Sequence, residues 1–283
     1  MALGPLTHQP TVSLSPDDIA FFQENGFLRF SQLSTPDEIS MMRQSYDRIF
    51  QTRAGREEGN QFDLAGSDEE DKEAALPQIL GPEKYAPELW DTLARANALQ
   101  ICRQLLGEDM QAQGSHAIFK PAHHGAVTPW HQDEAYWNPD MEYRSISVWV
   151  PLQDVDAANG CMQFIPGSHK WEVIAHQPIN NDPRIHGLEL SPDVRHLALN
   201  PVVCPLMAGG ATFHPGRTLH YAAANHSARP RRALIMGFGA PARQRSNLGL
   251  PSRRFVWNDI KKPAREERAA RAQEKAQAAQ TVA

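Results

Sequence analysis

The second half of the chain is a series of short apolar segments separated by turns, and this pattern limits the possible folds most strongly. After Gly107, such segments alternate with clusters of Pro, Gly, Asn and Asp. The segments that favour strands are 111–120, 145–152, 161–165, 202–206, 211–214, 219–223 and 233–239. Many short strands with turn signals between them are typical of a β-sandwich or barrel. We therefore predict an all-β core.

Helix signals dominate the first third of the chain. Ser15-Pro16 and Thr35-Pro36 are each typical of a helix N-cap followed by proline in the first turn. Gly26 can end the first of these helices, and residues 85–106 form a third stretch with apolar residues at helical spacing. The predicted fold is mainly β with flanking helices, in which a helical N-terminal third packs on the β core.

The chain of 283 residues is long enough for one large domain with a real core. We expect residues 1–14 to be a loose lead-in, residues 15–250 to form a single domain and residues 251–283 to be a helical or disordered tail. The Gly- and acid-rich stretch 54–72 predicts a long loop, either a lid over a site or a solvated excursion. Residues 175–200 are predicted to be a loop over the sheet.

Composition argues against several classes of function. A net charge of −5 offers no basic surface for nucleic acid, and no apolar run approaches the roughly 20 residues of a membrane helix. The N-terminus lacks the pattern of a secretory signal. The three cysteines are far apart and form no CxxC pair, which favours reduced thiols in a cytosolic protein. We expect a cytoplasmic protein without nucleic-acid or membrane partners, and the sequence does not indicate an oligomeric state.

The stretch Trp130-His131-Gln132-Asp133 places a histidine and an aspartate two residues apart. On an extended segment these two side chains share a face, so an imidazole nitrogen and a carboxylate oxygen can bind one metal ion. A second histidine from elsewhere would complete the 2-His-1-carboxylate facial triad of non-haem Fe(II) oxygenases. With 12 histidines in the chain, about one His-x-Asp is expected by chance, so the pair alone is a weak signal.

Two later residues supply the remaining parts of such a site. His220 lies on a predicted strand and is the expected third ligand, with His214 as its rival. Arg231 follows His220 by eleven residues and opens an apolar strand. Its guanidinium can hold a carboxylate through a bidentate pair, as a 2-oxoacid that chelates the metal at its other end would require.

This ordered set resembles the phytanoyl-CoA dioxygenase-like family of Fe(II)/2-oxoglutarate-dependent oxygenases. The resemblance covers most of residues 15–245 and rests on Phe21-Phe22-Gln23-Glu24-Asn25-Gly26-Phe27, Trp130-His131-Gln132-Asp133, Asn159-Gly160-Cys161-Met162, Ile165-Pro166-Gly167-Ser168-His169-Lys170 and the segment from His220 through Asn225 to Arg231-Arg232-Ala233. It implies a double-stranded β-helix (jelly-roll, cupin-like) core, in agreement with the strand pattern. It also implies that His131, Asp133 and His220 hold iron between two sheets.

The same resemblance implies a binding site for the cosubstrate. Arg231 matches the arginine that holds the distal carboxylate of 2-oxoglutarate, whereas Arg232 would face the other side of the strand. His116 and Trp149 match cosubstrate-contacting positions, although a core aromatic explains Trp149 equally well. Gln78 corresponds, on a loose alignment, to a polar residue near the mouth of the site.

Other positions are left open or given no role. The family often has a small hydroxyl residue two positions after the third ligand, and here that residue is Ala222, so a cosubstrate contact is missing. His214 lacks an arginine at the family distance, which favours His220 as the ligand. Tyr136 and Trp137 either shape the substrate pocket or simply pack, and His169 is more easily explained by structure than by substrate contact. Six histidines in predicted polar turns are given no role: His123, His124, His176, His186, His196 and His226.

The implied cofactors are Fe(II) and the cosubstrate 2-oxoglutarate, with ascorbate as a stimulant and O₂ and a small molecule as substrates. The implied reaction hydroxylates a C–H bond and releases succinate and CO₂. The carboxylate of Asp133 argues against a halogenase, which has a small residue there. Desaturation, epoxidation or ring chemistry would use the same ligands. Two other classes remain as alternatives: a non-catalytic metal-binding jelly-roll sensor or structural protein, and a zinc-dependent cupin-like isomerase or hydrolase that would not need Arg231.

Overall fold

A computed structural model describes residues 4–67, 73–123 and 126–245, together with residues 266, 267, 270 and 274, which are helical. The tail predicted for 251–283 lies outside the described residues except at those four positions, and so does His124. No helix within these ranges is both long and apolar enough to cross a membrane.

The described chain combines three α-helices with many short strands. The helices are α1 (Pro16–Asn25), α2 (Pro36–Gln51) and α3 (Leu93–Leu106). The strands are β1 (Leu28–Phe30), β2 (Gln61–Asp63), β3 (Pro77–Leu80), β4 (Gln111–Lys120), β5 (Thr128–His131), β6 (Met141–Glu142), β7 (Ser145–Pro151), β8 (Met162–Phe164), β9 (His176–Pro178), β10 (Leu188–Leu190), β11 (Val202–Cys204), β12 (Ala211–Pro215), β13 (His220–Ala222), β14 (Arg231–Gly239) and β15 (Arg243–Gln244). Short 3₁₀ helices lie at Pro82–Lys84, Pro87–Leu89, Asp133–Tyr136, Ser168–Lys170, Ile179–Asn181 and Pro192–Leu197.

The predicted capping residues begin and end the first two helices. The Ser15 hydroxyl accepts a hydrogen bond from the backbone N–H of Asp18, whose carboxylate accepts from the N–H of Ser15 in return. Gly26 ends α1 in the left-handed conformation at φ 75°, which glycine adopts without strain. The Thr35 hydroxyl caps α2 by accepting from the N–H of Glu38.

The third helix begins later than its apolar spacing predicts. The hydroxyl of Thr92 accepts from the N–H of Arg95, so α3 begins at Leu93 and not at residue 85. The Glu38 carboxylate also accepts the free N–H groups of Leu93 and Ala94, at 2.7 and 2.9 Å. A side chain from α2 therefore stabilises the start of α3, a contact that local sequence does not reveal.

Two antiparallel sheets form the double-stranded β-helix. The larger has seven strands in the order β1-β12-β7-β14-β4-β3-β2, and the smaller has four in the order β11-β8-β13-β5. Along β14, Leu234 and Met236 pack with the helices on the outer face of the large sheet, whereas Ala233 and Ile235 belong to the cluster between the sheets. The predicted jelly-roll core is confirmed, and its inner face is where a site can form.

Two predicted loops contain strands. The stretch 54–72 includes β2, which pairs with β3 at the edge of the large sheet, and 175–200 contains the paired strands β9 and β10. Each strand is only three or four residues long, too short to show an apolar period. Because β1, β2 and β3 join the large sheet, the first third is only partly helical.

Candidate metal and cosubstrate site

The two motif histidines meet across neighbouring strands of the small sheet. His131 is the last residue of β5, His220 is the first residue of β13, and the two are register partners. Gln132 is extended and Asp133 opens a 3₁₀ helix, so the carboxylate turns towards both rings. Oδ1 of Asp133 lies 3.6 Å from Nε2 of His131 and 3.5 Å from Nε2 of His220. The three potential ligand atoms lie within 4.8 Å of one another.

Hydrogen bonds orient both imidazole rings for metal binding. Nδ1 of His131 lies 2.8 Å from the carbonyl oxygen of Pro129, and Nδ1 of His220 lies 2.8 Å from that of Thr218. Each Nδ1–H therefore donates to a carbonyl, which leaves the Nε2 lone pair free on the side of Asp133. Two imidazole nitrogens and one carboxylate oxygen form the donor set that non-haem iron takes.

The protonation states of His220 and Asp133 are also those that metal binding requires. Burial lowers the pKa of His220 well below its usual value, and the neighbouring charges of His131 and His214 lower it further. Burial by itself would raise the pKa of Asp133, but His220, His131 and His214 together hold that pKa well below its usual value. A neutral imidazole and an ionised carboxylate are the forms that bind metal, so no proton has to leave either group at neutral pH.

Arg231 is a buried guanidinium that lacks a counterion in the described part of the chain. Its side chain is 1% exposed, and its Nε and Nη1 atoms have no hydrogen-bond partner among the described residues. Burial lowers its pKa to about 10, so it is charged at neutral pH. A buried unpaired charge is costly, and a carboxylate would satisfy it. Arg232 faces the opposite side, where its Nη2 donates to Asp47 at 3.0 Å, as predicted.

The other predicted cosubstrate residues lie on the same inner face. Trp149 and His116 flank Ile235 in register on the strands to either side of β14. The guanidinium carbon of Arg231 lies 5.5 Å from the Trp149 ring centroid. Burial lowers the pKa of His116 to about 4, so this imidazole is neutral. Together with Gln78 and the triad residues, they line one cavity of about 570 Å³.

Gln132 and His176 show how the metal motif is held, and neither role was predicted. The backbone N–H of Gln132 donates to Nε2 of His176 at 3.1 Å, and the Gln132 side chain donates to the Arg217 carbonyl and accepts from the N–H of Ile174. His176 lies on β9 and not in a polar turn, so that prediction is wrong. His186 is also more than a turn residue, because it lines the cavity and packs on Phe62 at 4.4 Å between ring centroids.

A buried lysine contacts the backbone of Ala222, the residue at which the family hydroxyl is missing. Lys120 is 1% exposed, and its Nζ donates to the carbonyls of Ala126, Ala222 and Ala223 at 3.2, 2.9 and 2.7 Å. Burial, and then the charge of Arg231, lower its pKa well below the usual value. The backbone of Ala222 therefore has a partner, but its methyl group offers no hydrogen bond to a cosubstrate.

Of the three remaining candidate residues, two line the cavity and one makes a structural contact away from it. Tyr136 and Trp137 line the cavity, and the Tyr136 hydroxyl accepts from the N–H of Leu188 at 2.7 Å. His169 is structural, since its Nε2 bonds the Gln23 carbonyl at 3.1 Å.

Comparisons with known proteins agree with this geometry. The family model described as phytanoyl-CoA dioxygenase (PhyH) matches residues 22–233. The crystal structure of EvdO2 from Micromonospora carbonacea var. aurantiaca complexed with 2-oxoglutarate is 34% identical, covers 88% of this chain and 99% of its own, and superposes with a TM-score of 0.72. A probable alpha-ketoglutarate-dependent hypophosphite dioxygenase of Stutzerimonas stutzeri is 26% identical over 77% of this chain and 76% of its own. An ectoine dioxygenase of Bordetella parapertussis is 24% identical over 81% and 76%. The chain belongs to the phytanoyl-CoA dioxygenase family.

Proposed function

We propose that this chain is an Fe(II)- and 2-oxoglutarate-dependent dioxygenase that hydroxylates a C–H bond of a small molecule and releases succinate and CO₂. One observation carries the proposal: the buried guanidinium of Arg231, whose Nε and Nη1 atoms have no hydrogen-bond partner among the described residues, lines the same cavity as His131, Asp133 and His220. A jelly-roll that held metal only for structure or sensing would have no need of this cation. The relatives named as alpha-ketoglutarate-dependent and ectoine dioxygenases support the same class.

Each residue then has a defined task. His131, Asp133 and His220 would hold the metal ion, and three protein ligands would leave it able to bind cosubstrate and O₂. Bound Fe(II) would supply the activation of O₂, which no side chain can provide. Arg231 binds the distal carboxylate of 2-oxoglutarate, and Trp149 with Ile235 forms the apolar wall that excludes water there. Overall, one O₂ supplies one oxygen atom to the substrate and one to succinate.

The test is succinate formation by the purified protein with Fe(II), 2-oxoglutarate and ascorbate, across a panel of small molecules. We expect succinate even without a substrate, at a low uncoupled rate, and none from Asp133→Ala. Protein that binds Fe(II) and 2-oxoglutarate yet forms no succinate under any condition would support the sensor alternative. Turnover that requires Zn(II), needs no 2-oxoglutarate and is unchanged in Arg231→Ala would instead support a zinc-dependent isomerase or hydrolase.

We further propose that the reacting part of the substrate is uncharged and largely apolar. Among the described residues that line the cavity, Asp133 and Arg231 are the only acidic or basic side chains apart from histidines, and both are engaged by metal and cosubstrate. The rest of the wall is mostly apolar and aromatic, and its volume is in the range of pockets for drug-sized ligands. A charged group would be buried there without a partner, which is costly. Hypophosphite, an anion named for one relative, is therefore an unsuitable substrate for this cavity.

The substrate has room to extend outwards from the metal. A second cavity of about 540 Å³ shares Pro129, Ile179 and Tyr221 with the first. Trp130 stacks on Tyr221 there, with ring centroids 5.2 Å apart. We propose that the part of the substrate remote from the reacting carbon lies against this aromatic pair, where a flat ring or an apolar chain would bury the most surface.

A further inference from the structure

We propose that His214 and Ser147 are positioning residues that hold the second carboxylate oxygen of Asp133, so that Asp133 binds the metal through one oxygen only. The inference rests on the proposed metal site, but it concerns residues of the opposite sheet that the triad does not include.

The two carboxylate oxygens of Asp133 face different groups. Oδ1 is the oxygen near the Nε2 atoms of His131 and His220. Oδ2 accepts a hydrogen bond from the Ser147 hydroxyl at 2.7 Å and lies 3.6 Å from Nε2 of His214. The ligand histidines belong to the small sheet, whereas Ser147 on β7 and His214 on β12 are register partners in the large sheet. Asp133 therefore lies between the sheets, with one oxygen turned to each.

Burying the polar ring of His214 without hydrogen bonds destabilises the fold, and a contact with Asp133 would explain why a histidine is present there. Its side chain is 2% exposed, and neither ring nitrogen has a hydrogen-bond partner among the described residues. Its ring packs between those of Phe164 and His220, with centroids at 5.2 and 4.4 Å, so its orientation is fixed by neighbours. A leucine would fill such a place without unpaired polar atoms. Oδ2 of Asp133 is the carboxylate oxygen that faces Nε2, at 3.6 Å, and the two atoms would form a hydrogen bond if they approached to within about 3.2 Å.

The position of His214 also distinguishes it from the three metal ligands. It is not among the three residues whose ligand atoms cluster within 4.8 Å, and it approaches the other oxygen of Asp133. The Ser147 hydroxyl on Oδ2, joined by Nε2–H of His214, would lower the tendency of Oδ2 to bind metal and fix the direction of Oδ1. A carboxylate that bound through both oxygens would take a position that cosubstrate or O₂ requires. His214 and Ser147 would thus keep that position on the metal available for cosubstrate or O₂.

The experiment compares Co(II) binding and metal-free stability for four variants. His214→Leu and Ser147→Ala each remove a donor to Oδ2, and His214→Gln restores an N–H donor. The matched control is Thr212→Val, because the Thr212 hydroxyl on the same strand is also buried and without a partner among the described residues. Co(II) affinity and the visible Co(II) spectrum are measured by titration, and the unfolding midpoint is measured on metal-free protein.

We expect His214→Leu to weaken Co(II) binding by roughly 10- to 100-fold and to change the Co(II) spectrum, with a metal-free midpoint that is unchanged or higher. Ser147→Ala should shift affinity in the same direction, His214→Gln should recover most of it, and Thr212→Val should bind as the wild type does. Wild-type affinity and spectrum in His214→Leu would overturn the inference and make His214 a packing residue. Complete loss of binding, as in His220→Ala, would overturn it in favour of a fourth ligand. None of these measurements needs turnover, so they stand apart from the succinate assay, whereas a wild type that binds no Co(II) would overturn the metal site itself.

Discussion

Lys120 and Arg231 are register partners on adjacent antiparallel strands, so the protein buries two cationic side chains next to each other. The ammonium group of Lys120 donates to three backbone carbonyls, while Arg231 has two nitrogen atoms without a partner among the described residues. Only Arg231 of this pair lines the cavity and stays charged at neutral pH, so it is the member that can bind an incoming carboxylate.

This relationship predicts opposite effects of Arg231→Met on ligand binding and on stability. Loss of two charge-assisted hydrogen bonds, each worth roughly 1.5–3 kcal/mol, should weaken 2-oxoglutarate binding by about 100-fold or more. The metal-free protein should be as stable as wild type or more so, because an unpaired buried charge has gone. Titration of the Fe(II)-loaded protein with 2-oxoglutarate and urea unfolding without metal measure the two effects. Arg232→Met is the control: it should lose its contact with Asp47 but keep wild-type cosubstrate affinity.

Asp133→Ala should abolish Fe(II) binding at micromolar metal and all succinate formation, and His131→Ala should do the same. Each substitution removes one of the three protein ligands. In Asp133→Ala only two imidazoles remain to bind the metal ion. Equilibrium dialysis with Fe(II) under anaerobic conditions measures the loss directly. An Asp133→Ala protein that still hydroxylates at the wild-type rate would refute the ligand assignment.

Contacts that depend on the spacing of residues along one strand can be predicted from the sequence, whereas contacts made from other strands cannot. The His131–Asp133 pair follows from two-residue periodicity, and the opposite orientations of Arg231 and Arg232 follow from strand alternation. Ser147, His214 and His176 act on the motif from other strands, so no spacing within the chain relates them to it. Likewise, β2 is a strand only because β3 pairs with it.

Acidification should destabilise the metal-free protein partly through His176. Its Nδ1–H donates to the Ile174 carbonyl and its Nε2 accepts from Gln132, so the folded protein needs the neutral ring. Burial first, and then the charge of His131, lower its pKa from 6.5 to about 4. Between these values the unfolded chain binds a proton that the folded protein does not, so stability falls as pH decreases through this window and is unaffected above it.

The expected loss from His176 is about 2 kcal/mol at pH 5 relative to pH 7.5. Urea unfolding at both pH values, on wild type and on His176→Gln, isolates this contribution. The variant should be less stable at pH 7.5, because the Gln132 contact is disturbed, yet lose less stability on acidification. Equal pH dependence in the two proteins would show that His176 is not the titrating group, and His116, whose pKa is also lowered to about 4, would then be the next candidate.

Asp63 should stabilise the residues that directly follow β2 and directly precede β3, two of which line the cavity. Its carboxylate accepts the backbone N–H groups of Ala65, Ala75 and Leu76 at 3.0, 2.7 and 2.9 Å. Leu64 and Leu76 line the cavity. Asp63→Ala should reduce the free energy of unfolding by about 2–3 kcal/mol, since several charge-assisted hydrogen bonds are lost. Hydrogen exchange should be faster at residues 64, 65, 75 and 76 and unchanged in β14, whereas a uniform increase would indicate global destabilisation only.

The charge of the cavity predicts which ligands the loaded protein accepts. A thermal-shift screen of protein loaded with Mn(II) and 2-oxoglutarate, in which O₂ chemistry does not proceed, should give mostly uncharged apolar ligands. A ligand that binds the folded protein raises the unfolding midpoint, and more so the further its concentration exceeds its Kd. Without 2-oxoglutarate the same screen should select carboxylates, since Arg231 is then free. Trp130→Ala should reduce the shifts from extended ligands and spare those from small ones, because only extended ligands reach the Trp130–Tyr221 stack. A set of ligands dominated by anions in the presence of 2-oxoglutarate would contradict the proposed substrate class while leaving the metal and cosubstrate site intact.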